Sequence, residues 1–497
     1  MTLQELIQGI PEICFSDNHI HPTIDAIATD SRQVRPGALF VSCQGEQYDG
    51  HCFLEAALRQ GAVAVLVRSK TARPSLKCDH VAWLECENPK EVLPKLLNRF
   101  YEDPCSRIAL VGVTGTNGKT TVTYLMESIL CRAGVPCGVI GTVNYRFADK
   151  VFPARNTTPG PVEIFGYLNQ MSASGMKVCV MEVSSHALVQ GRVNGLVFQE
   201  AVFTNLTSDH LDYHKTQEEY FLAKALFFDG SLAVEHALIN SDDPFGKRLT
   251  HICQTQQGLW TYGLEQDCCT RAHDIKLSAQ GSEFLMTING ESVTMQTALV
   301  GRHNVYNILA AAGACARLGV SLDAIRHGIE SVDVVPGRLE RIPEAGDVCV
   351  LVDYAHTEDA LEKILEGVRG TGPSRILVVF GCGGDRDVTK RPRMARVAEK
   401  LADYVIVTND NPRTEDPQKI LHDILAGFQE DRYAVELDRE QAIAGALAMA
   451  RPGDCVVIAG KGHEDYQIFK DQTIHFDDRE MVRKYLRKCD DGIISCE

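Results

Sequence analysis

The sequence predicts an α/β protein of three domains. A small α/β domain occupies residues 1–105, a central α/β domain of P-loop type 106–335, and a Rossmann-like domain 336–497. Three observations carry this reading. A chain of 497 residues is too long for one core and fits roughly three domains of about 150 residues each. Two proline-bearing joins interrupt it, the polar "YEDPCSR" at 101–107 and "VDVVPGRLERI" with its Pro-Gly pair at 332–342. On either side of them, short apolar runs alternate with helix-forming stretches, and beyond the second join this is the pattern of a mostly parallel sheet with helices on both faces.

In the first domain "GALFVSC" and "GAVAVLV" read as strands and "HCFLEAALRQ" as helix. The central domain opens with "IALVGVTG", a buried strand running into a glycine loop. "KTTVTYLMESILCRAG" continues with apolar residues at helical spacing and stops at Gly134. Further strands are expected at "VCVMEV", "EAVFTNL" and "HALIN", and residues 275–299 look like a β-hairpin insertion turning at Asn289-Gly290. "NVYNILAAAGACARLG" is an alanine-rich helix. In the last domain "VCVLVDYA", "RILVVFGCGG", "YVIVTND" and "DCVVIAGKG" are buried strands, each separated by helix-forming sequence. Ligands in such sheets bind beyond the carboxyl ends of the strands, where the polar motifs of this chain fall.

Composition narrows the function. A net charge of −16 leaves no surplus of Lys and Arg to displace counterions, which argues against a general nucleic-acid binder. The 18 cysteines are scattered, without C-x-x-C pairs or zinc-finger spacing, and read as reduced thiols used as small hydrophobes. "MTLQELIQGIPEICF" lacks the basic and apolar regions of a signal peptide, and no apolar run is long enough for a membrane span. The expectation is a cytoplasmic protein.

The chemistry begins at "GVTGTNGKTT", Gly112 to Thr121. A Walker A loop places its first glycine five residues before the glycine of the Gly-Lys-Thr end. Here that position is Val113, with Gly112 one step early and Gly115 two steps late. The loop still offers backbone N–H groups and a helix N-terminus to a phosphate. Lys119 can reach the β- and γ-phosphates and Thr120 can ligate Mg²⁺. In "VCVMEVSSHAL", Glu182 and Ser184 fall at a strand end where a carboxylate can hold Mg²⁺ or cap a helix. "NLTSDHLDYH" holds His210 and His214 four residues apart, a spacing open to zinc. The glutamate expected after the first histidine of such a pair is missing, so oxygen-rich surroundings favour magnesium. Lys224 of "EEYFLAKALFF" lies on an apolar helical face. It is either a snorkelling lysine or one whose pKa is lowered by burial, leaving the amine partly neutral and open to addition of CO₂.

Three charged loops follow strands of the last domain. "VDYAHTEDALEKIL" brings Asp353 and His356, "FGCGGDRDVTKRP" brings Arg386, Lys390 and Arg391, and "TNDNPRTEDP" with "AGKGHEDYQ" brings Arg413, Lys461, His463 and Glu464. Together they read as a site for a polar substrate.

These motifs resemble those of the Mur ligases, the ATP-dependent amino-acid ligases of peptidoglycan synthesis. The resemblance runs from "TDSRQVRPGALFVSCQG" to "AGKGHEDYQ" and includes a GTNGKT loop of the family's own. It implies that residues 1–105 bind the UDP part of UDP-N-acetylmuramoyl-L-alanyl-D-glutamate, through Thr29, Ser31, Glu46, Gln47 and Tyr48. Asn156, Thr157, Thr158, Ser184, Gln190 and Arg192 would hold the muramoyl-dipeptide part. The central domain would bind ATP through Gly115, Thr116, Asn117, Gly118, Lys119, Thr120 and Thr121. Asn304, Arg338 and Asp353 would contact the nucleotide as the domains close. The magnesium set would be Thr120, Glu182, His210 and Lys224, the last as its carbamate (N6-carboxylysine), with Lys119, Lys224 and His210 as catalytic residues.

"DNPR" (Asp410, Asn411, Pro412, Arg413) marks the branch that adds meso-diaminopimelate, with Arg386, Gly460 and Glu464 in support. The chemistry agrees, because meso-diaminopimelate carries a carboxylate at the end where lysine carries none. An arginine fork can take it bidentately, and a lysine substrate would leave that arginine unpaired. The implied reaction passes through an acyl phosphate on the D-glutamate γ-carboxylate. The implied protein is a monomer using small-molecule substrates, with no nucleic-acid or membrane partner. A lysine-adding ligase is the near alternative, and a P-loop ATPase or kinase the distant one.

Overall fold

The computed structural model describes residues 1–17, 20–45, 48–72, 80–253, 258–264, 268–278 and 280–490. Three large sheets follow one another along the chain. The first has strand order Cys14–Asp17, Ala82–Cys86, Ala62–Arg68, Ala38–Val41, Ala26–Ala28, parallel except at the Cys14–Asp17 edge. The helix Pro89–Phe100 starts at Asn88, whose side chain accepts from Lys90 N, with proline in its first turn. It buries Val92, Leu93, Leu96 and Leu97 and joins the first sheet to the middle one: Asn98 Nδ2 donates to Gly195 O at 2.8 Å.

The middle sheet has eleven strands. At its centre lies Ala109–Thr114, between Val178–Glu182 and Val197–Phe203, all parallel. Burial on both faces explains why these strands are uniformly apolar. Gly112 lies here rather than in the phosphate loop. A Cβ on it would come 2.4 Å from Phe227 Cζ and 2.9 Å from Phe198 Cε1. The glycine that is one step early for a Walker loop therefore belongs to the packing of the strand.

The stretch 275–299 departs from the expected hairpin insertion. Three strands, Thr270–Ser278, Gly281–Ile288 and Glu291–Thr297, form an antiparallel meander. It continues the middle sheet, because Thr270–Ser278 pairs in parallel with Leu259–Gly263. The turn is at Asn289-Gly290 as expected, with both residues at positive φ.

The third sheet orders its strands as Glu340–Arg341, Cys349–Asp353, Cys455–Ala459, Ile376–Phe380, Tyr404–Val407 and Tyr433–Val435. All but the first are parallel. Beneath its loops, Arg439 and Asp478 form a completely buried bidentate pair at 2.7 and 2.8 Å. Arg439 also donates to Ala459 O and Asn409 O, tying two strand ends together. Arg391, expected among the substrate-facing charges, is instead fully buried and held by Glu415 and Asp423. It cross-braces the glycine loop, since a charge so enclosed persists only when paired. No helix among the described residues is long and apolar enough to cross a membrane.

Candidate active site

The loops after the three central strands of the middle sheet converge. In the phosphate loop, Gly115 has φ +149° and Gly118 φ +88°. Added Cβ atoms there would lie 1.9 Å from Thr204 Oγ1 and 2.2 Å from Asn307 Oδ1, so both positions demand glycine. Asn205, which opens "NLTSDHLDYH" but has no role readable from the sequence, fixes the loop: its Oδ1 accepts from Asn117 N, its Nδ2 donates to Asn117 O, and its carbonyl accepts from Thr116 N. Thr121 is buried at the start of the helix Lys119–Arg132.

Two lysine amines meet one carbonyl. Lys119 Nζ donates to Gly115 O and Thr116 O, both at 2.8 Å, and Lys224 Nζ donates to Gly115 O at 2.9 Å. Lys224 is 1% exposed and does not snorkel; its Nζ lies 4.7 Å from the Tyr220 ring centroid. Burial, then the nearby Lys119, push its pKa far below that of a free lysine, against the pull of Asp209. Burial also lowers the pKa of Lys119, against Glu182 and Asp209.

Glu182 ends its strand fully buried. Its carboxylate accepts from Thr142 N at 3.0 Å, Thr142 Oγ1 at 2.8 Å and Thr120 Oγ1 at 3.2 Å. Thr120 Oγ1 in turn accepts from Arg338 Nη2 at 3.2 Å, a contact between the middle and last domains. A second such contact runs from Asn117 Nδ2 to Asp359 Oδ2 at 3.0 Å. Asp353 spends both carboxylate oxygens on backbone N–H groups, of Leu339 and Ala355.

His210 and His214 do not share a helical face. His210 sits at φ +55° before the short helix Leu211–His214. It packs edge-on to His186, and burial holds its pKa at about 3 against the pull of Asp209. His214 turns away to Ser185 Oγ at 2.9 Å. Among the described residues no cluster of three His, Cys, Asp or Glu side chains could hold a metal. The converging donors are oxygens, from Thr120 and Glu182, which suit Mg²⁺ better than zinc.

Around this centre lies a cavity of about 690 Å³ lined by Lys119, Thr157, Asn304, Arg338, Asp353 and Lys363, among others. Beside it, Thr158 Oγ1 donates to Glu182 O, and Ser184 N donates to Thr158 Oγ1. Arg192 donates to Thr158 O and to Gln190 Oε1. The backbone of Asn156 is held by the Tyr145 hydroxyl. The N-terminal candidates lie on the first sheet's loops. Thr29 and Ser31 follow the strand Ala26–Ala28, Tyr48 is 71% exposed, and Glu46 and Gln47 lie outside the described residues.

A second pocket of about 180 Å³ is lined by Arg386, Lys390, Asp410, Asn411, Arg413, Gly460 and Glu464, with Asp209, His210 and His356. Asn411 anchors its floor, donating to Glu464 Oε2 at 2.9 Å and accepting from Lys461 Nζ and Ile468 N. Pro412 is buried in the turn, which places Arg413 at φ +54° with Nη1 donating to Gly384 O at 2.7 Å. Burial and Asp410 raise the pKa of Glu464. Arg386 is exposed at the rim.

Three family models match successive parts of the chain. They are the "Mur ligase family, catalytic domain" over 23–101, the "Mur ligase middle domain" over 113–315, and the "Mur ligase, glutamate ligase domain" over 337–462. A UDP-N-acetylmuramoyl-L-alanyl-D-glutamate–2,6-diaminopimelate ligase of Geobacter metallireducens is 44% identical over 488 residues, covering 94% of this chain and 94% of its own. The chain belongs to the Mur ligase family. The Gloeobacter violaceus enzyme of the same name is 46% identical over 471 residues, covering 94% of this chain and 95% of its own. A solved structure of a ligase of that name matches with TM-score 0.67 and 33% identity, over 95% of this chain and 96% of the other. Mur ligases are ATP-dependent enzymes that form amide bonds, and in this one Lys119 and Lys224 both donate to the phosphate-loop carbonyl of Gly115.

Proposed function

We propose that this Mur ligase joins meso-2,6-diaminopimelate to UDP-N-acetylmuramoyl-L-alanyl-D-glutamate, converting ATP to ADP and phosphate, as a step in peptidoglycan precursor synthesis. The observation that carries this reading is the placement of Arg413 and Glu464 in a pocket that adjoins the phosphate-loop cavity. An amino acid with a carboxylate at its far end can pair that end with Arg413 while its amine faces the loop where phosphate is handled.

The γ-carboxylate of the D-glutamate residue attacks the γ-phosphate of ATP, giving an acyl phosphate and ADP. Lys119 neutralises charge on the transferred phosphoryl group. Thr120 and Glu182 would hold Mg²⁺, with the Lys224 carbamate and His210 completing the set. Bound there, Mg²⁺ supplies charge neutralisation and alignment of the phosphates. Burial and Lys119 lower the pKa of Lys224, which favours carbamate formation: the deprotonated amine adds to CO₂ and releases one proton, and Lys119 stabilises the anion. The diaminopimelate amine then attacks the acyl carbonyl, and phosphate leaves. Arg338 to Thr120 and Asn117 to Asp359 bridge the domains and help exclude water from the labile acyl phosphate.

Thr29, Ser31, Glu46, Gln47 and Tyr48 would take the uridine nucleotide, and Asn156 to Thr158 with Ser184, Gln190 and Arg192 the muramoyl dipeptide. We place the domain limits at 105/106 and 335/336, and the enzyme in the cytoplasm as a monomer without membrane or nucleic-acid partners. Phosphate release measured with the UDP-dipeptide and either meso-diaminopimelate or L-lysine tests the reading. Turnover is expected with diaminopimelate; equal or faster turnover with lysine, or ATP hydrolysis without any amino acid, would overturn it.

A further inference from the structure

The cavity around the phosphate loop and the pocket of the DNPR loop share four lining residues: Asp209, His210, Tyr354 and His356. An acyl phosphate made in the first and an amine held in the second must meet at this junction. An amino acid arrives with its amine as ammonium, which has no lone pair and has to lose a proton before it can attack.

His356 is arranged to receive one. Its Nδ1 lies 2.8 Å from the carbonyl oxygen of Tyr354. A carbonyl only accepts, so Nδ1 carries the ring proton and the lone pair of the neutral imidazole is on Nε2. Among the described residues Nε2 makes no hydrogen bond. The other three residues are less suited. Asp209 is engaged with the backbone N–H and ring of His210. His210 is the candidate metal-site residue, and the Tyr354 phenol is held protonated by burial.

We propose that Nε2 of His356 takes the proton from the ammonium of the incoming amino acid. The inference rests on the ligase reading above. The freed amine attacks the acyl carbonyl, and a C–N bond forms. As the C–O bond to phosphate breaks, the second nitrogen proton leaves with the phosphate as hydrogen phosphate, and the imidazolium later returns its proton to solvent. The charges facing the ring come from several elements. Asp209 stands on the loop after Val197–Phe203, Asp410 on the loop after Tyr404–Val407, and Lys390 on the helix Lys390–Leu401. Glu358 is paired with Arg393 at 3.1 Å, and Arg386, Asp387 and Arg413 line the same pocket. Burial and Lys390 disfavour the imidazolium, while Asp209, the Tyr354 carbonyl and Asp410 favour it.

Hydroxylamine separates the two halves of the reaction, because it is uncharged at neutral pH and attacks acyl phosphates without a base. The full-length His356→Asn chain, which keeps a donor toward Tyr354 O, is assayed with ATP, Mg²⁺ and the UDP-dipeptide. It should form hydroxamate near the native rate. Its amide kcat at saturating diaminopimelate should fall about 10²-fold or more at pH 7. That rate should then climb about tenfold per pH unit as the free amine becomes available. An unchanged amide kcat, a parallel loss of hydroxamate, or a loss that pH does not restore would each overturn the proposal. A native chain that forms neither hydroxamate nor amide would refute the ligase reading instead.

Discussion

Replacing Arg413 should convert a selective amino-acid pocket into an indifferent one. Its Nη1 is committed to Gly384 O at 2.7 Å, while Nε and Nη2 make no hydrogen bond among the described residues. That edge of the fork offers two N–H donors to a carboxylate. A hydrogen bond to a charged group contributes about 1.5–3 kcal/mol, so two give roughly 3–6 kcal/mol, part of it spent on ordering the side chain. A net loss of about 3–4 kcal/mol corresponds to roughly a 10²–10³-fold fall in kcat/KM for meso-diaminopimelate in Arg413→Ala. Arg413→Lys keeps the charge but not the fork and should lie between. L-Lysine should lose little or gain, since the variant leaves no unpaired guanidinium. Coupled phosphate release with both amino acids reads this directly. Equal losses for the two substrates would mean that Arg413 only supports the loop through Gly384, and the specificity argument would fail.

Lys224→Ala should abolish amide formation, and short carboxylates added to the assay should partly restore it by standing in for the carbamate. Gly112→Ala drives a methyl group to within 2.4 Å of Phe227. It should cost about 1–3 kcal/mol of stability by overpacking, read as a lowered melting temperature. Arg439→Met strands Asp478 in a site where both partners are completely buried. It should cost about 3–5 kcal/mol and speed hydrogen exchange in Tyr404–Val407 and Cys455–Ala459. The pH dependence of stability has a definite sign. Burial lowers the pKa values of His214 to about 4, His303 to about 4 and His463 to about 3. Below about pH 6.5 the unfolded chain binds protons that the folded chain refuses. The melting temperature should therefore drop as pH falls from about 6.5 to 4; a flat profile there would contradict the burial of these rings.

Much of the fold was legible because its signals are local. "IALVGV" and "VCVMEV" are apolar on both faces, and only a strand buried in a parallel sheet needs that. The turn at Asn289-Gly290 was legible from residue type. The meander's place at the edge of the middle sheet was not, because pairing with Leu259–Gly263 depends on residues that alternation alone does not identify. Arg391 was misread because a charged side chain near a glycine loop gives no sign of whether Glu415 and Asp423 will enclose it. Asn205 was missed because an asparagine after a strand is common, and its three bonds to Thr116 and Asn117 exist only once two loops meet.

The order of residues determined the phosphate loop, the strand ends that carry Glu182 and Asp410, and the DNPR turn, since each depends on neighbours a few positions away. Tertiary structure alone decided that Gly112 serves the packing of Phe227, that Lys119 and Lys224 share the Gly115 carbonyl, and that His356 stands where two cavities join. Those facts rest on residues more than a hundred positions apart brought within contact distance. Burial at that scale both lowers the pKa of Lys224 and sets the packing around the site.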